Sequence, residues 1–151
     1  MSEIVEFAAQ TPRHELPLLV AGQVQKEFFV NEALSRIDML LAPTIETALT
    51  SPPPAPLPGE CFLVAAPAAG DWIGQEDKLA SLDGTQWTYV APRQGTAVFD
   101  ISSGQMQYFR NSWQLAPQPA APSGGTVVDT EARAAIEQVI EVMRAAGMIA
   151  A

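Results

Sequence analysis

Polar and apolar positions are interleaved most specifically between residues 11 and 40, TPRHELPLLVAGQVQKEFFVNEALSRIDML, and the rest of the chain is organised around this stretch. Pro12 and Pro17 fix φ and remove backbone donors, which predicts an extended lead-in over residues 11–20. Gly22 permits a sharp change of direction. A helix is expected from Asn31, a good N-cap, with Glu32 in its first turn and Leu34, Ile37, Leu40 and Leu41 recurring at helical spacing. Pro43 stops it. So short a helix is marginal alone, so its wide apolar face must pack against something.

Downstream the periodicity shortens. Residues 44–50, TIETALT, alternate with a period of two that fits a strand, with a continuation of the helix as the competing reading. Residues 51–58, SPPPAPLP, hold polyproline-II geometry and serve as a stiff connector. Strands are then predicted over 60–65, 78–82, 86–90, 96–100 and 105–109, the run ending at Trp113. Asp83-Gly84, Gln94-Gly95, Ser103-Gly104 and Arg110-Asn111 supply the turns of an antiparallel meander. Within it LASLDGTQW and MQYFRNSW align as a weak repeat, which places Trp87 and Trp113 in equivalent positions.

Residues 116–125, APQPAAPSGG, read as a linker. Asp129 or Thr130 caps a final helix whose apolar stripe is Ile136, Val139, Ile140 and Met143; Gly147 is its C′ residue and 148–151 trail beyond it. The expected fold class is α+β, divided into an N-terminal arm and helix (1–50), the connector (51–58), an antiparallel β-domain (59–115), the linker (116–125) and a C-terminal helical segment (126–151). Residues 1–10 are either a short strand, an arm lying on a neighbour, or a frayed terminus.

The ordered run TPR, LPLL, AGQ, QKE, VNEAL and RID, continued by LPGECFLV, GDWIG, LASLDGTQW and YVAPRQG, resembles an uncharacterised family encoded in alphaproteobacterial prophages and gene transfer agents. There it occurs as small stand-alone proteins and as a domain of fibre or spike proteins. The resemblance implies a particle component, and it implies no reaction and no catalytic residue.

Composition narrows the chemistry. A net charge of −9 over 151 residues, with only eight scattered Lys and Arg, argues against nucleic-acid backbones and anionic membrane surfaces as partners. Cys61 is the single cysteine, so no intrachain disulfide or thiolate metal cluster can form, and its strand-like neighbours predict a buried structural thiol. No signal peptide or membrane-spanning run is evident, which predicts synthesis in the cytoplasm and, from the resemblance, assembly into a phage-like particle. The lone His14 has no nucleophile or second histidine near it in sequence, and a local pair with Glu15 is its expected role. Asp71, Glu76 and Asp77 fall in one loop, where glycoside hydrolysis or calcium binding competes with a solvated acidic turn, and the turn is preferred. No catalytic residue, metal site or cofactor is assigned.

The aromatics suggest one binding alternative. Trp72, in a Gly-flanked loop, with Tyr89 and Tyr108, could stack on cell-surface polysaccharide. The leading expectation is a non-enzymatic structural component, the base or adaptor of a spike or fibre. It would associate with other particle proteins and with copies of itself through the stripe Ile136, Val139, Ile140 and Met143, a trimer being favoured because fibres are often threefold.

Overall fold

A computed structural model describes residues 9–19, 26–84 and 86–150, without the Lys26 side chain. Residues 1–8 of the stretch expected as an arm (1–10) and the turn at Gly22 lie outside these residues. The fold is α+β, and the chain divides into two compact units, Met1–Pro92 and Arg93–Ala151.

In the first unit, residues 12–14 form a turn: the Glu15 amide donates to the Thr11 carbonyl at 3.1 Å, and Leu16 donates to the Thr11 hydroxyl at 3.0 Å. The lead-in then pairs back on itself through a bridge between Gln10 and Pro17. Helix α1 (Lys26–Leu41) starts earlier than the expected cap at Asn31. Asn31 lies inside the helix, and its side-chain amide is spent elsewhere. It accepts from the Leu19 amide at 2.9 Å and donates to the Leu19 carbonyl at 3.0 Å, pairing with that residue as a strand would. The helix ends before Pro43 as expected.

The 44–50 alternation becomes two short strands, β1 (Thr44–Ile45) and β2 (Ala48–Leu49). After the proline connector come β3 (Cys61–Val64), a 3-10 turn (Gly70–Trp72), β4 (Leu79–Asp83) and β5 (Gln86–Val90). The sheet order is β2-β3-β4-β5. The hairpins are antiparallel, but β2 runs parallel to β3, a pairing that the intervening proline-rich crossover permits. On one face Phe62, Val64, Trp72 and Ala80 form the core, flanked by Leu49, Trp87 and Tyr89. The alternation of β4 and β5 puts Ser81, Asp83 and Thr88 on the other face. Thr88 and Ser81 are buried, and α1 packs against β5.

That packing inverts the expected amphipathicity of α1. The side turned into its own unit carries Ser35, Asp38 and Met39, all buried, and Ser35 donates to Asp83 at 2.6 Å. Ile37, Leu40 and Leu41, expected to pack, are 46%, 43% and 56% exposed. Asp83 of the sheet holds Ser35 and the lead-in holds Asp38, so the apolar stripe faces outward.

The second unit contains β6 (Ala97–Asp100), β7 (Gln105–Arg110), β8 (Ser112–Leu115) and α2 (Thr130–Ala145). β6, β7 and β8 are consecutive antiparallel neighbours. The weak repeat maps one hairpin onto each unit: Trp87 sits opposite Leu82, Trp113 sits opposite Phe109, and the aligned turn residues Gly84 and Asn111 both have φ 63°. Asp129 caps α2, accepting from the Ala132 amide at 2.8 Å. Beyond it the chain does not trail away as expected: Ile149 is buried, the Gly147 carbonyl accepts from Met106 at 2.7 Å, and the Ala150 amide reaches Ala116. Gly147 has φ 66°, and a Cβ there would meet the Gly104 carbonyl oxygen at 2.9 Å. Gly147→Ala should therefore destabilise the protein by about 2 kcal/mol or more through backbone strain and the close approach. Urea unfolding followed by circular dichroism would show the midpoint fall.

Candidate functional site

The densest polar cluster joins the lead-in to α1. Asp38 is 2% exposed and one helical turn from the end of α1. Its carboxylate accepts from the Arg13 amide at 3.0 Å, the His14 amide at 2.8 Å and the Thr11 hydroxyl, and it lies 3.1 Å from His14 Nδ1. Arg13 completes the clasp by donating to the Met39 carbonyl at 3.3 Å and to the Thr44 carbonyl and hydroxyl. His14 thus pairs with Asp38 rather than with the expected Glu15, because the turn at 12–14 aims it at the helix. Burial alone would raise the Asp38 pKa. The donors from Thr11, Arg13 and His14 outweigh it and hold the carboxyl below its ordinary value.

This cluster is built to bind the chain to itself. Its carboxylate is committed to groups of the lead-in. Among the described residues no group of three or more His, Cys, Asp or Glu is arranged to hold a metal ion. Cys61 is buried as expected, and burial pushes its thiol up to about 11, which keeps it protonated and inert at neutral pH. In the acidic loop, Glu76 accepts from the Ala68 amide at 3.2 Å and Asp77 adopts φ 65° while its amide donates to Val64. The Glu76 carboxylate and the Asp77 backbone thus hold the turn of this loop.

The aromatic candidates separate. Trp72 is 0% exposed, which corrects its expected role as an exposed contact. Gly70 at φ 62° and Gly74 at φ 76° fold the loop so that the indole turns inward, where it lies edge-on to Trp87 at 5.1 Å and tilted against Phe62 at 6.1 Å. Tyr89 flanks the same core and donates to the Asp71 carbonyl at 3.0 Å; burial, and then the negative charge of Asp71, raises its pKa. Tyr108 belongs to the second unit, on β7, and is exposed. The structure therefore offers no Trp72-centred platform for a sugar.

The α2 stripe is surface. Ile136 and Val139 are 45% and 58% exposed and Met143 is half-buried, whereas Ile140 is turned inward and buried. Pro119 and Ala120 of the preceding segment line a shallow groove of about 360 Å³ along the stripe. That segment is tied down by Arg133, which donates to the Pro122 carbonyl at 3.0 Å and to Gly124. Sequence reasoning missed Asp38 as the anchor and missed the outward stripe of α1. The one available signal was Asp38, a charge set between Ile37 and Met39 on a helical stretch.

A family profile described as a protein of unknown function (DUF2793) matches residues 30–114, from within α1 to β8. No curated protein matches. Among the described residues no helix is long and apolar enough to cross a membrane.

Two outcomes follow from this geometry. Trp72→Ala should cost about 3–5 kcal/mol, as for a large side chain deleted from a core, and circular dichroism melts should show it as lost stability. For Asp38 the lowered pKa fixes the sign. Its stabilising contribution is complete above the ordinary carboxylate range and is lost as pH falls through the lowered folded value. Asp38→Asn should destabilise the chain at pH 7 by about 3 kcal/mol and flatten the acid limb of its stability profile, measured by urea midpoints from neutral to strongly acidic pH.

Proposed function

The chain belongs to the DUF2793 family, and we propose that it is a non-enzymatic structural component of a phage-like particle, a self-assembling base or adaptor of a spike or fibre. The observation that carries this reading is the apolar stripe on α2. This capped helix buries Ile140 yet leaves Ile136, Val139 and Val142 open to solvent. Contiguous apolar surface of this kind marks a contact with another macromolecule. Symmetric copies of the same chain are the simplest partner, since one stripe then covers another.

The particle context comes from the resemblance of the TPR, LPLL, VNEAL and RID run and the GDWIG and LASLDGTQW segments to prophage-encoded and gene-transfer-agent proteins. In that setting the protein assembles with itself, a trimer being favoured, and attaches or displays a receptor-binding element held by other particle proteins. Polysaccharide recognition would have to use Tyr108 or another exposed group in place of the buried Trp72.

The test is the solution mass of the full chain by light scattering after size exclusion. A discrete multiple of 16.1 kDa is expected. Ile136→Asp combined with Val139→Asp, both at exposed positions, should weaken association at least tenfold while the helical circular dichroism is kept. Point substitutions are preferable to truncation after Gln114, because the removed segment also bonds to β7 through Gly147 and Ala116. A full chain that runs as a monomer at every concentration would sink the proposal.

A further inference from the structure

We propose that the outward face of α1 is a second interface, covered by the same face of α1 from another copy of this chain. The inference rests on the self-assembly reading and names a contact surface for it.

At 100° per residue, Phe29, Val30, Ala33, Ile37, Leu40 and Leu41 fall within an arc of about 120° on one side of the helix. All six are exposed. Val30, Ala33, Ile37 and Leu40 follow the a and d spacing of a heptad, three then four residues apart, and Leu41 widens the seam. The residues turned inward are Asn31, Ser35, Asp38 and Met39, and each polar one is held there by a named bond. Rotating α1 to bury its apolar stripe would release Asp38 from the lead-in and Ser35 from Asp83. The outward orientation is therefore fixed by the fold.

The amount of surface fits a subunit contact. The five larger side chains, each about half open and each offering on the order of 150–200 Å² when fully exposed, leave roughly 400–500 Å² of apolar area on one helix face. A standard interface of ~800 Å² per partner, a little over half of it apolar, contains about 450 Å². Charge supports a like partner. One edge of the stripe carries Glu32 and Arg36, already paired with each other at 2.6 Å, so it presents no net charge to repel a copy of itself. A strongly basic or acidic partner would find nothing there to recognise.

The experiment pairs the full chain with Ile37→Glu, Leu41→Glu in the same chain, both at exposed positions. Light scattering across a concentration series reads the mass, and circular dichroism with urea unfolding reads the fold. An oligomer in the parent that is weakened at least 100-fold in the variant, with the fold retained, is the expected result. If the charged pair fails to fold, Ile37→Ser with Leu41→Ser makes the same measurement without new charge. An oligomer that survives the α1 substitutions overturns this inference and leaves self-assembly standing. A parent chain that is 16.1 kDa throughout overturns both.

Discussion

The first unit depends on one buried carboxylate. Taking Asp38 out of water costs several kcal/mol, and only hydrogen bonds to the charged form return it, each worth ~1.5–3 kcal/mol. The Thr11 hydroxyl and the Arg13 and His14 amides supply them, with the His14 ring beside them. No subset is expendable, because any acceptor left unpaired keeps its desolvation cost. The lead-in is therefore held against the helix by electrostatics in a low-dielectric pocket, with little apolar burial of its own. Arg13 extends the same logic to the chain beyond the helix, reaching Met39 and Thr44 and fixing where β1 begins.

From that constraint follows the orientation of α1. A helix rolled onto a sheet ordinarily buries its apolar stripe, and burying a Leu or Ile gains ~1.5–3 kcal/mol. Here the sheet face under α1 presents Ser81, whose hydroxyl donates to the Glu60 carbonyl, Thr88, and Asp83, which would lose its Ser35 donor under an apolar stripe. Ser35 and Asp38 satisfy polar neighbours instead. The unit accepts exposed Ile37, Leu40 and Leu41 because the alternative strands several buried polar groups at once.

Much of this was legible in the sequence. Glycine- and asparagine-bearing turns located the hairpins to within a residue or two, since φ near +63° at Gly84 and Asn111 favours those residue types. The Asp129 cap and Gly147 bracketed α2 for similarly local reasons. What escaped was decided by distant partners. Asn31 looks like a cap until Leu19 claims its amide, and Trp72 looks exposed until two glycines turn its loop inward onto Phe62 and Trp87. Periodicity reports which residues share a helix face. It carries no information on which face the neighbouring strands will accept, so the inversion of α1 could be read only once Ser81 and Thr88 were known to lie beneath it.

The exposed stripe of α2 has a different origin. Its unit is small, and the core that β6, β7 and β8 provide is shared with buried Asp100, Gln105 and Gln107, where Gln107 donates to Asp100 at 2.8 Å. Polar groups occupying interior positions leave less apolar surface to receive a helix; Ile140 is the one buried residue of α2, and Ile149 is buried in the tail. The helix is nevertheless fixed, by the Gly147 carbonyl on Met106 and by Arg133 on the preceding segment. An apolar face that is held rigid forfeits little conformational entropy when it meets a partner. The exposure of α2 thus arises on a helix that is held in place rather than on a frayed one, which suits the self-assembly proposed above.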